Sequence, residues 1–164
     1  LTMVLELSHV TDGGLARMVD VSMKQPGQRV ARAEASVILG EGLAELVAAW
    51  GGVGKGPVLE VARLAGIQAA KRTAELIPLC HPIAIDHVDV TAKLEGETVR
   101  IETTVRSAGR TGVEMEALTA AAVAALTVYD MVKAAGREVE IQGLRLIEKS
   151  GGKSGHWRRS EAPR

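Results

Sequence analysis

Between Ala117 and Tyr129 the chain runs without one Asp, Glu, Lys or Arg, inside a longer alanine-rich stretch from Thr111 to Lys133 that reads as a single helix. A helix with most of its faces apolar has to be covered by other elements, so the rest of the chain must supply a layer against which it packs. Charge is confined to its ends: Glu114 and Glu116 at the entrance, Asp130 and Lys133 at the exit. Asp130 and Lys133 are three residues apart and share one side of the last turns, while the two glutamates stand a helix length away. A charge next to buried apolar surface is costly unless it is paired. Two readings remain open for these four residues. One is structural, a carboxylate at the positive helix end and a salt bridge at the other; the other is a functional site.

With 164 residues the chain is long enough for one domain with a real core, and residues 1–164 are read as that domain, with 1–15 and 149–164 expected to be flexible. Phe is absent, Tyr occurs once and Trp twice, so the core must be built from Val, Ile, Leu, Ala and Met. Twenty basic residues balance twenty acidic ones, which leaves no overall field to attract nucleic acid or an anionic membrane; an anion site would have to be local. Cys80 is the single cysteine, so no intrachain disulfide forms, and the expectation is a cytoplasmic protein in a reducing compartment. Leu1 to Val10 is too short and too interrupted by Glu6, Ser8 and His9 for a signal peptide, and the sequence reading finds no apolar run approaching the ~20 residues needed to cross a bilayer.

Val30, Ala33, Ala35 and Val37 fall among Arg32, Glu34 and Ser36 in the largely alternating pattern of a strand. Gly42 to Trp50 is a short amphipathic helix, followed by a glycine-rich loop, Gly51 to Gly56, that carries Lys55. Pro57 suits a first helical position, and Val58, Val61, Leu64, Ala65 and Gln68 trace a helix expected to bend at Gly66 and to stop before Pro78. Val88, Val90, Ala92 and Leu94 alternate with polar residues, and after Glu95-Gly96-Glu97 the alternation resumes at Val99, Ile101, Thr103 and Val105, which makes a hairpin. After the long helix, Gly136 is placed to cap its end and Val139 to Ile147 forms a last strand. The order strand, helix, strand, strand, helix, strand predicts an α+β fold. It is the ferredoxin-like βαββαβ arrangement with an additional inserted helix, an antiparallel sheet carrying its helices on one face. The other face must be covered or used, and an oligomer is the simplest cover.

The tail from Lys149 is glycine-rich, basic and aperiodic. It reads either as a mobile terminus or as a segment ordered by a phosphate, since consecutive glycines let backbone amides approach an anion while Lys149 and Lys153 add charge. Gly151 to Ser154 lacks the strand-to-helix context of a phosphate-binding P-loop, and that motif is rejected. Lys55 among glycines, the Lys71-Arg72 pair late in a helix and His81 between prolines each have an ordinary structural reading. Cys80 and His81 are adjacent, without a second cysteine or paired-ligand spacing, so no metal and no cofactor is expected. Lysines close to carboxylates can hold phosphate as point charges. If crowded or desolvated, they can also act as general acid or base.

These segments carry a resemblance. Met18-Val19-Asp20-Val21-Ser22, Ala65 to Thr73, Ile77-Pro78-Leu79-Cys80-His81-Pro82, Thr111 to Thr119, Tyr129-Asp130-Met131-Val132-Lys133 and Lys149 to Gly155 occur in this order. Together they resemble the molybdenum cofactor biosynthesis protein C family, the cyclic pyranopterin monophosphate synthases, over nearly everything from His9 to Arg159. The resemblance implies a ferredoxin-like fold, and a homohexamer built as a trimer of dimers with sites at subunit boundaries. It implies a lyase that converts (8S)-3′,8-cyclo-7,8-dihydroguanosine 5′-triphosphate to cyclic pyranopterin monophosphate with release of diphosphate.

Carried over by resemblance, Lys55 and Lys133 take the places of the family's acid-base lysines and Asp130 that of its active-site aspartate. Leu79, Cys80 and His81 match one substrate-contacting segment, and Met115 with Glu116 another. Glu114, Arg29, Lys71, Lys149 and Lys153 match further polar positions of the pocket. One departure is visible: where the family has Lys-Gly-Asp, this chain has Lys55-Gly56-Pro57, which removes a helix-capping aspartate. An RNA-binding module of the same strand order is excluded because the expected strands carry no aromatic platform for bases. An inactive assembly protein would be expected to have lost Lys55, Asp130 or Lys133, and all three are present.

Overall fold

The computed structural model describes residues 8–50 and 57–160. In chain order it contains β1 (Gly27–Ile38), α1 (Glu41–Trp50), α2 (Val58–Lys71), α3 (Thr73–Leu76), β2 (His87–Glu95), β3 (Thr98–Gly109), α4 (Glu114–Val132), β4 (Glu140–Ser150) and β5 (Trp157–Arg158). Among the described residues the five strands make one antiparallel sheet in the order β2-β3-β1-β4-β5. The first four strands of that order are the ferredoxin-like arrangement expected from the sequence. The hairpin pairs Val88 with Val105, Val90 with Thr103, Ala92 with Ile101 and Leu94 with Val99 across a two-residue turn.

Alternation along β1 and β3 sends Ala31, Ala33, Ala35, Val37, Val99, Ile101 and Val105 to the helical side, where all are buried. Burying each larger aliphatic side chain stabilises the fold by about 1.5–3 kcal/mol. α4 is the centrepiece of that core: Ala117, Ala120, Ala121, Ala124, Ala125, Val128 and Val132 are fully enclosed. The hydroxyl of Thr103 donates to the Ala117 carbonyl at 2.8 Å, which ties β3 to α4 with a satisfied polar group. α4 is long and apolar enough to cross a bilayer, unlike the expectation that no such run exists; here 56% of its most apolar window is buried inside the structure.

α2 runs as one continuous helix from Val58 to Lys71, through Gly66. The reason for glycine there is proximity: an added Cβ would lie 3.0 Å from the Ala120 carbonyl oxygen and 3.1 Å from Val90 Cγ1. Pro57 stands at the N-cap of α2 rather than in its first helical position, and makes no side-chain cap. Gly136 does donate its amide to the Val132 carbonyl at 3.3 Å. It lacks the left-handed backbone of a glycine cap, and instead an added Cβ would meet Leu43 Cδ1 at 2.7 Å. The last strand reaches Ser150, three residues beyond the expected limit, and Lys149 pairs with Trp157 and Glu148 with Arg158 to add β5.

The opposite sheet face is a lattice of charges. Arg32 lies 3.9 Å from Glu102 and 3.6 Å from Glu148, Arg100 lies 3.0 Å from Glu95 and 4.0 Å from Glu34, and Arg145 pairs with Glu34. Exposed pairs of this kind contribute at most about 1 kcal/mol each. Their arrangement leaves that face polar where the first face is apolar.

Candidate active site

β1 begins, β3 ends and β4 ends at the same edge of the fold, and α4 starts there after a short loop from Gly109. This topology brings Arg29 of β1, Arg110 of the loop, Glu114 of α4 and Lys149 of β4 around one cavity of about 660 Å³, to which Lys24 and Lys153 also contribute. Lys149 Nζ sits 2.8 Å from Glu114 Oε1. Arg29 Nε donates to the Gly109 carbonyl at 3.2 Å. Five cations around a single carboxylate in this lining give a strongly positive local field in a chain of zero formal charge.

A smaller hollow of about 140 Å³ adjoins the same end of α4, lined by Lys71, Arg72, Thr73, Pro82, Ile83 and Glu116 among others. Glu116 is 3% exposed, and burial, reinforced by the neighbouring Glu114 charge, pushes its carboxyl above the ordinary range. Burial, with the Glu116 charge adding, likewise pushes up the thiol of Cys80, which disfavours a reactive thiolate. Next to His81, the Asp20 carboxyl is held low, first by the Ser22 backbone amide that donates to it at 2.8 Å and then by the Ser22 hydroxyl. The block Met18 to Ser22 thus approaches the segment between the prolines.

At the other end of α4, Lys133 Nζ lies 2.6 Å from Asp130 Oδ1, both side chains more than half exposed. The hydrogen bond from Lys133 to Asp130, and then the Asp130 charge, raise the lysine's pKa. Sixteen residues of helix separate Glu114 from Asp130, on the order of 24 Å. Among the described residues no three of His, Cys, Asp and Glu converge to hold a metal ion.

A family model described as the MoaC family matches residues 18–152. The chain belongs to the MoaC family. It is 52% identical over 159 residues to a cyclic pyranopterin monophosphate synthase of Chloroflexus aggregans, with 96% of each chain covered. It is 57% identical over 150 residues to molybdenum cofactor biosynthesis protein 1 of Drosophila melanogaster, covering 90% of this chain but 26% of that relative.

Within this MoaC-family chain, the residues singled out from sequence fall into three groups. Arg29, Glu114, Lys149 and Lys153 share the large cavity, and Lys71 and Glu116 share the smaller one with Cys80 close by. Leu79 and His81 are half-buried in the same loop as Cys80, and Met115 is 37% exposed on the first turn of α4. Asp130 and Lys133 pair with each other, apart from all of these. Lys55 lies outside the described residues. Sequence reasoning missed Lys24 and Arg110, both in the large cavity. Their signal was available: each sits beside a turn glycine or proline within a few residues of a flagged position, Lys24 before Pro26-Gly27 and Arg110 between Gly109 and Gly112.

Proposed function

We propose that this MoaC-family chain is a cyclic pyranopterin monophosphate synthase acting in molybdenum cofactor biosynthesis, and that its substrate is (8S)-3′,8-cyclo-7,8-dihydroguanosine 5′-triphosphate. The observation that carries the reading is the 660 Å³ cavity in which Arg29, Arg110, Lys149, Lys153 and Lys24 surround Glu114. A triphosphate needs several cations and room, and the site supplies both locally. Lys149 is held by Glu114 until phosphate oxygens replace the carboxylate as its partner. The buried Glu116, with Leu79, Cys80, His81, Met115 and Lys71, borders the part of the substrate that is rearranged into the pyranopterin.

Asp130 and Lys133 supply a proton-handling pair. The aspartate holds Lys133 in its charged form, and family resemblance gives Lys55 as the second lysine of the acid-base steps. Because the pair stands a helix length from the cavity of its own chain, the complete site takes the cavity from one protomer and the Asp130–Lys133 end from another. The working protein is then a homo-oligomer, for which the family resemblance implies a trimer of dimers, with each chain acting as one domain. Its lone cysteine suits the reducing cytoplasm.

The direct test is to incubate the purified protein with the cyclised dihydro nucleotide and follow diphosphate release together with the pterin-like oxidation product. Appearance of both in equal amounts is the expected result; binding with neither product would overturn the assignment.

A further inference from the structure

Gly151 and Gly152 follow β4 with φ of +98° and +75°, in the left-handed region that side-chain-bearing residues rarely adopt. The space beside them is already taken. A Cβ on Gly151 would lie 2.1 Å from the Gln28 carbonyl oxygen, and one on Gly152 would lie 1.8 Å from Nη1 of Arg29. The same guanidinium is tied on its Nε side to the Gly109 carbonyl at 3.2 Å. Bare backbone from the tail and a carbonyl from the loop before α4 therefore grip Arg29 from two sides, at the wall of the large cavity. Gly155, which closes the turn by accepting from the Gly151 amide at 3.1 Å, also has a positive φ of +63°, yet a Cβ there would meet nothing within 4 Å.

We propose that Gly152 is a positioning residue for anion binding: its missing side chain lets the tail backbone close on Arg29 and hold the guanidinium fork ready for phosphate oxygens. An arginine ordered beforehand loses less freedom when the anion arrives, and its planar donors meet two oxygens only in a set orientation. The inference rests on the reading of this cavity as the triphosphate site.

The test measures calorimetric affinity for inorganic tripolyphosphate in the full chain, with steady-state kinetics alongside. The proteins are wild type, Gly152→Ala, Gly155→Ala, Arg29→Ala and the Arg29→Ala/Gly152→Ala double variant. Gly152→Ala is expected to weaken tripolyphosphate binding about tenfold or more and to raise KM more than it lowers kcat. Gly155→Ala, which shares the backbone strain without the collision, should stay within about threefold of wild type. In the Arg29→Ala background, adding Gly152→Ala should cost no more than about threefold, the strain alone, because the guanidinium it would strike is gone.

Equal penalties for Gly152→Ala in both backgrounds, or an equal penalty at Gly155, would overturn the positioning role while leaving the phosphate site intact. Failure of the wild-type protein to bind tripolyphosphate would overturn both. If Gly152→Ala does not fold, the double variant decides: recovery of the fold supports the grip on Arg29, and continued failure refutes it.

Discussion

Both ends of α4 carry an acid beside a lysine, yet the two pairs are built differently. Glu114 and Lys149 stand 35 residues apart in sequence on two elements, are each about 30% exposed and close one side of a large cavity. Asp130 and Lys133 lie within one helical turn, are each about 55% exposed, and a nearby 500 Å³ hollow between α1 and Ala135 to Glu138 is not lined by either. A pair drawn from two elements is held in place by the whole fold. A pair within one turn is held by helix spacing alone, and exposed pairs at such spacing contribute well under 1 kcal/mol. Stability is thus a weak reason for Asp130 and Lys133 to be there, and an apolar helix ending in an accessible, firmly protonated amine is suited to present that amine to something outside its own chain.

The sharpest way to break this contrast is complementation. Lys133→Ala should lower turnover by about 100-fold or more, and Lys149→Ala should act mainly on KM. Assayed at substrate well below the raised KM, the two variants mixed and reassembled should regain activity at about a quarter of the sites, since some sites then combine two intact ends from different chains. Activity that stays at the level of the separate variants would place the whole site within one chain.

A smaller effect is expected where the ends share support. Gly66→Val, which forces α2 away from Ala120, should destabilise the protein by about 1–3 kcal/mol in denaturant unfolding. It should affect both ends alike; a selective loss of tripolyphosphate binding would show that the ends are not carried on one rigid helix.

Acid–base titration separates the ends further. The Glu116 carboxyl is raised in the folded state by burial, so its contribution to stability is greatest below the ordinary carboxylate range and is lost as pH rises through the shifted value. Glu116→Gln should remove that dependence, and the difference in Tm between wild type and variant should move in the variant's favour with rising pH. A difference that is flat with pH would show that this end is not the dry one.

The smallest effect belongs to Glu148, whose carboxyl is lowered first by the hydrogen bond with His156 at 2.8 Å. That contribution is present above the ordinary carboxylate range and fades as pH falls through the lowered value. Glu148→Gln should cost under about 1 kcal/mol near neutrality and nothing in acid.

The hairpin and α4 were legible in the sequence, the first by its period of two from Val88 to Val105, the second because a helix apolar on most faces has to be covered. The tail was not. A two-residue strand, Trp157–Arg158, has no period to detect, and the glycines before it read as looseness although they are fitted against Arg29 and Gln28. At Gly66, likewise, composition records a missing side chain but not what occupies the space. Site residues were legible as a set and not as a geometry. Spacing predicted that Asp130 and Lys133 share a side of the helix, while the pairing of Glu114 with Lys149 depends on where β4 ends, and no local pattern encodes that.

Trp157, one of two tryptophans in the chain, stands on β5 directly across from Lys149, with the Arg159 guanidinium 5.7 Å from its ring centre. In a protein almost devoid of aromatic rings, this indole is a built-in optical probe on the strand paired with Lys149. With Trp50 replaced by Phe, its emission can be followed during mixing, so the settling of the glycine turn can be timed against product formation without attaching a dye.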